Sequence, residues 1–121
     1  MDAKNGISIH LIQRRQDLIQ NKMTARSKII AISGSTRQNS ANLSLIHAIS
    51  NLFSDTLDMV IFNSLDSIPH FNPDLDNENP PKAVEEFRKL LREADGILIC
   101  TPEYAMGVPG TLKNAIDWTV S

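Results

Sequence analysis

The stretch IAISGSTRQNSANLSL, Ile30 to Leu45, passes from an apolar strand-like segment through a single glycine into hydroxyls, an arginine and two asparagines, then into helix-like residues. A strand that turns through glycine into a helix is the βα unit of a parallel sheet, and ligands of such sheets bind outside the carboxyl ends of the strands. Each residue type then has a reason. Gly34 permits a tight turn, Ser35, Thr36 and Ser40 offer hydroxyls, and Arg37 can form charge-assisted, bidentate bonds to a phosphate. The free N–H groups after Ser40 and the helix dipole favour the same anion. Plain capping by Asn39 or Ser40 competes with this reading; it explains the serine but not an arginine in the turn. No GK[ST] follows the glycine and GxGxxG is absent, so a mononucleotide fits better than a Walker-type or dinucleotide ligand.

Working outward, Lys28 to Ser33 reads as a strand, and Asn39 to Phe53 carries Leu45, Ile46, Ile49, Leu52 and Phe53 at helical spacing. Thr56 to Phe62 is a second strand, followed by a polar, proline-punctuated loop, Asn63 to Glu78. A helix begins near Pro80 or Pro81 and places Ala83, Val84, Phe87, Leu90, Leu91 and Ala94 on one face. The continuous run Gly96 to Thr101 suits a strand covered on both faces. After a loop from Pro102 to Gly110, Thr111 to Val120 again shows helical spacing. This order predicts an α/β fold: a parallel sheet with right-handed crossovers and helices on both faces. Residues 1–26 show weak helical periodicity and read as an N-terminal extension, a frayed helix or an interaction arm; a start at Met23 leaves the domain intact.

The 121 residues suffice for one domain. With 41% hydrophobic and 21% charged residues and a net charge of -2, the composition is that of a soluble globular protein, without the basic excess of a nucleic-acid binder. No run approaches the ~20 apolar residues of a membrane span and no secretory h-region opens the chain, so a cytoplasmic, membrane-free protein is expected. The single cysteine, Cys100, lies in an apolar run and reads as a buried strand thiol. His47 and His70 lack a ligand partner at helical spacing, so no metal is expected. GxSxG, HExxH and CxxC are absent, which counts against hydrolase and metalloenzyme chemistry.

The second loop, TPEYAMGVPGTLKNAIDW from Thr101 to Trp118, follows the third strand on the same edge of the sheet, so the two loops should converge. With both in view, the chain resembles the NADPH-dependent FMN reductase family, flavodoxin-like proteins that include azoreductase, quinone reductase and chromate reductase relatives. The pattern GSxRxxSxN matches Gly34, Ser35, Arg37, Ser40 and Asn42, and PEYxxxxPGxLKNAIDW matches Pro102 to Tyr104, Pro109, Gly110 and Leu112 to Trp118. The resemblance implies that Ser35, Arg37, Ser40 and Asn42 hold the FMN phosphate. It implies that Pro102, Glu103, Tyr104 and the Ala105–Gly107 backbone, Gly107 included, line the flavin ring. Many members carry Asn where this chain has Ala105. The segment IPHFNPDLD, Ile68 to Asp76, also resembles the family and receives no chemistry. Leu112, Ala115, Ile116 and Trp118 are expected to pack the last helix on the sheet, while Lys113, Asn114 and Asp117 stabilise a loop or a subunit interface.

The family's sheet has the order 2-1-3-4-5, and this sequence supplies strands for positions 2, 1 and 3 only. A flavodoxin-like FMN-binding domain at 27–121, incomplete at its C-terminus, is therefore expected, with GILICT as an exposed edge if nothing covers it. The resemblance implies an NAD(P)H oxidoreductase, dimeric or higher, passing electrons through FMN to a quinone, azo compound or free flavin. The flavin does the chemistry, so no protein acid or base is assigned a catalytic role. An FMN-binding electron carrier without a nicotinamide site, and a non-catalytic fragment, are the alternatives.

Overall fold

In the computed structural model, which describes residues 3–120, β1 (Ser27–Ser33) lies at the centre of a three-stranded parallel sheet. Its isoleucines favour a pleated, buried strand, and Ile30 to Ser33 are all buried. On one side β1 pairs with β2 (Leu57–Phe62), in a register running from Ser27 opposite Leu57 to Ile32 opposite Phe62. On the other it pairs with β3 (Gly96–Cys100), from Ile29 opposite Gly96 to Ser33 opposite Cys100. The order β2-β1-β3 is that of the first three strands of a flavodoxin-like sheet, as expected.

Alternation along β1 sends successive side chains into two separate cores. Ile30 and Ile32 meet α3 (Lys82–Glu93) through Val84 and Phe87, and α4 (Gly110–Asp117) through Leu112 and Ala115, with Trp118 just beyond it. Ala31 packs on the other face with Cys100 against Ile46 of α2 (Ala41–Leu52). The result is three layers, helix, sheet, helix. Burying one such Val, Leu, Ile or Phe side chain contributes ~1.5–3 kcal/mol, so the few residues at these two interfaces hold the layers together.

The element ends have local causes. α2 begins at Ala41 rather than Asn39 because Ser40 is its N-cap, extended at φ -85°, ψ 145°, with its hydroxyl accepting from the Leu43 N–H. α4 ends at Asp117, short of the expected Val120; the Thr119 hydroxyl turns back to donate to the Ile116 carbonyl (2.7 Å). Two short 3₁₀ turns, Leu65–Ser67 and Pro73–Leu75, interrupt the long loop after β2.

β3 departs from the expectation of a strand covered on both faces. No described strand lies beyond it, and Ile97 and Ile99 are 55% and 45% exposed. Upstream, α1 (Ala3–Thr24) is a 22-residue helix whose Gln, Leu, Arg and Lys residues are good helix formers. Its side chains from His10 to Thr24 are all exposed, in keeping with the weak periodicity. Among the described residues, no helix is long and apolar enough to cross a membrane.

Candidate functional site

The loop after β1 is drawn against the end of β3. The Gly34 N–H donates to the Cys100 carbonyl (2.8 Å). A Cβ at position 34 would stand 2.3 Å from Thr101 Oγ1, 2.5 Å from its Cβ and 2.9 Å from its Cα, so the two segments touch only because residue 34 has no side chain. Within the loop, the buried Ser33 hydroxyl donates to the Ser35 carbonyl (3.3 Å), and Ser35 Oγ accepts from the Arg37 N–H (3.3 Å). Arg37 itself is exposed and makes no ion pair among the described residues.

The loop after β3 is shaped differently. Tyr104 and Gly107 exchange backbone hydrogen bonds of 2.8 and 2.9 Å, closing a tight turn across Ala105 and Met106. Both central residues have positive φ, 48° and 63°, where Gly and Asn are the usual occupants. Each costs ~1–2 kcal/mol for a residue with a Cβ. The asparagine that the resemblance places at 105 suits this conformation, and Ala105 lacks its local side-chain hydrogen bond. Pro109 is buried and delivers the chain into α4.

Between these loops lies a cleft of about 440 Å³, walled by the loop from Gly34 to Arg37, by Tyr104, by the Pro109–Thr111 start of α4 and by His70. The structure thus brings Ser35, Arg37 and Tyr104 together. Ser40 stands behind the loop, buried, with its hydroxyl committed to the Leu43 N–H (3.1 Å). Asn42 is half-buried on the first turn of α2, Pro102 is half-buried, and Glu103 and Gly107 are exposed; none of these four walls the cleft. His70 and Thr111 do, and sequence reasoning missed both. The one available signal for His70 was the family-like segment around it.

His70 belongs to a stretch fastened to α4. Asn114 Nδ2 donates to the carbonyls of Pro69 (3.0 Å) and Ile68 (3.3 Å), and its Oδ1 accepts from the Phe71 N–H (2.7 Å). Trp118 Nε1 donates to the Pro69 carbonyl (2.7 Å), and Phe71 packs edge-on against its ring at 5.0 Å. Arg88 completes the fastening, donating from Nε to the Trp118 carbonyl (2.7 Å) and pairing with Asp76 (2.9 Å). Asn114 is therefore a loop clamp, one of the two roles left open for it. Ile116, expected in the core with Leu112, Ala115 and Trp118, is 43% exposed instead and is not part of the core cluster those three join. Burial pushes the Cys100 thiol up, so it stays protonated at neutral pH and is a poor nucleophile.

Comparison with known proteins decides what this arrangement belongs to. The model of the family described as NADPH-dependent FMN reductase matches residues 27–121. The chain belongs to that family. It is similar to a probable NADPH:quinone oxidoreductase 2 of rice, 38% identical over 94 residues, covering 75% of this chain and 46% of the relative. It is likewise similar to the quinone reductase of Escherichia coli K12, 34% identical over 97 residues, covering 79% and 52%. Among solved structures it resembles FerB, a flavoenzyme NAD(P)H:(acceptor) oxidoreductase from Paracoccus denitrificans. There the identity is 30% and the TM-score 0.72, over 78% of this chain and 51% of that one. The chain spans about half the length of the curated relatives it matches.

The family's cofactor is FMN, and the cleft can be tested against it. Its volume lies within the ~300–1,000 Å³ of small-molecule sites. Its walls carry the guanidinium of Arg37, without an ion pair among the described residues, together with Ser35, Thr36 and Tyr104, the last 55% exposed. A charged phosphate and an aromatic ring each have a matching wall, so the residues present fit the group.

Proposed function

We propose that this chain forms the FMN-binding part of an NAD(P)H oxidoreductase that passes electrons from a reduced nicotinamide to a small acceptor, a quinone, azo compound or free flavin. When bound, FMN supplies two-electron chemistry, by which NAD(P)H and a proton convert a quinone to its hydroquinone. The chain's residues bind and orient. Arg37, Ser35 and Thr36 take the phosphate directly, Ser40 caps the helix that carries Asn42, and Tyr104, closed in its turn with Gly107 and preceded by Pro102 and Glu103, faces the ring. No side chain is assigned a proton transfer.

The single observation that carries this reading is that Arg37 and Tyr104 wall one cleft, held together by the contact of Gly34 with Thr101. The exposed apolar residues Tyr104, Met106 and Val108 beside the cleft support a homodimer or higher homo-oligomer covering that rim. A free cysteine and dependence on a reduced nicotinamide support a cytoplasmic setting. FMN titration followed by flavin fluorescence tests the reading: binding is expected, and Arg37→Ala should weaken it about 10- to 150-fold, the worth of a charge-assisted hydrogen bond. Equal FMN affinity in that variant defeats the phosphate assignment. Anaerobic mixing with NADPH or NADH should bleach the bound flavin; a flavin that stays yellow marks an electron carrier instead.

A further inference from the structure

Beside the cofactor cleft lies a second one of about 370 Å³, floored by Leu65, Ile68 and Pro69 and edged by Asp66 and Asn114. The two clefts meet at three residues, His70, Gly110 and Thr111, which wall both. Of these, His70 alone carries a ring that can donate a hydrogen bond across the junction.

The backbone around it is fixed and the side chain is not. Four hydrogen bonds from Asn114 and Trp118 hold Ile68, Pro69 and Phe71, the residues on either side of position 70. The His70 imidazole is exposed and makes no hydrogen bond or ion pair among the described residues. Ordering such a group on a ligand costs little, because its mount is already immobile. The second cleft is largely apolar, and Arg37 does not wall it. A flat, uncharged ring with carbonyl oxygens matches that lining.

We propose that His70 is a specificity-determining residue for the electron acceptor, its ring N–H donating to a carbonyl oxygen of a quinone seated in the second cleft. This deepens the FMN reading and rests on it for the acceptor's role. The first test needs no flavin: titrating the chain with duroquinone, whose substituted ring cannot add to thiols or amines, should shift the His70 ring signals in proton NMR and leave those of His10 and His47 in place. With FMN held saturating for each variant, His70→Ala should raise the duroquinone KM about ten-fold. His70→Gln, which keeps an N–H donor, should recover most of that loss. Unshifted His70 signals, an unchanged KM in His70→Ala, or a loss confined to FMN affinity would each overturn the assignment. Failure to bind FMN with a persisting duroquinone shift at His70 would defeat the flavin reading and leave the quinone subsite standing.

Discussion

The loop after β1 buries its serines and satisfies them internally, whereas the loop after β3 exposes Tyr104, Met106 and Val108 and holds two residues with side chains at positive φ. The first resembles a piece of core that happens to end in one free cation. The second is a platform whose backbone is bent at a cost of ~1–2 kcal/mol per residue and closed by one pair of hydrogen bonds. Under the proposed function the contrast has a reason. A phosphate is recognised by fixed donors and gains from rigidity, while a ring platform must leave its apolar surface open to a ligand.

The contrast can be broken at its strongest point. Gly34→Val puts side-chain atoms into Thr101 down to its Cα, so stability should fall by about 3 kcal/mol or more in urea unfolding. A wild-type midpoint would mean that the two loops part without penalty. Next in size, Ser40→Ala removes the α2 cap and should lose about 1 kcal/mol, most of which Ser40→Asp restores. No loss on removing the hydroxyl would show that its buried hydrogen bond is not what orders the first loop.

The second loop should answer with the opposite sign. Ala105→Gly relieves the positive φ and is expected to raise stability by up to about 1 kcal/mol, despite the added freedom of the unfolded chain. A lower melting temperature would show that the turn is unstrained. Met106→Ser sharpens the comparison from below: the side chain is 94% exposed, and its loss should change stability by less than about 0.5 kcal/mol.

What could be read from the sequence follows the range of each interaction. The strands and the helix faces of α2 and α3 are written in local periodicity, and a cap at Asn39 or Ser40 was recognisable, the structure choosing Ser40. Gly34 invited a turn argument, but its reason is a neighbour at position 101. The Asn114 and Trp118 clamp joins residues 43 to 49 positions apart, beyond any local pattern, and so the placement of His70 was hidden with it. Nothing in the dipeptide Ala105–Met106 signals a left-handed turn, since neither residue is the usual occupant. β3 read as covered on both faces because its run is apolar, and as an exposed edge if nothing lies beside it; the exposure of Ile97 and Ile99 follows the second reading, since it depends on neighbours that composition cannot express.

The fastening of the 68–76 segment also sets an order of events during synthesis. Its anchors, Asn114 and Trp118, leave the ribosome more than forty residues after the chain they secure. Until then that crossover has no partner for its carbonyls, Phe71 has no indole to rest on, and Arg88 lacks the Trp118 carbonyl. The sheet can assemble earlier, but the crossover over it sets only when α4 arrives, a step delayed by long-range contact.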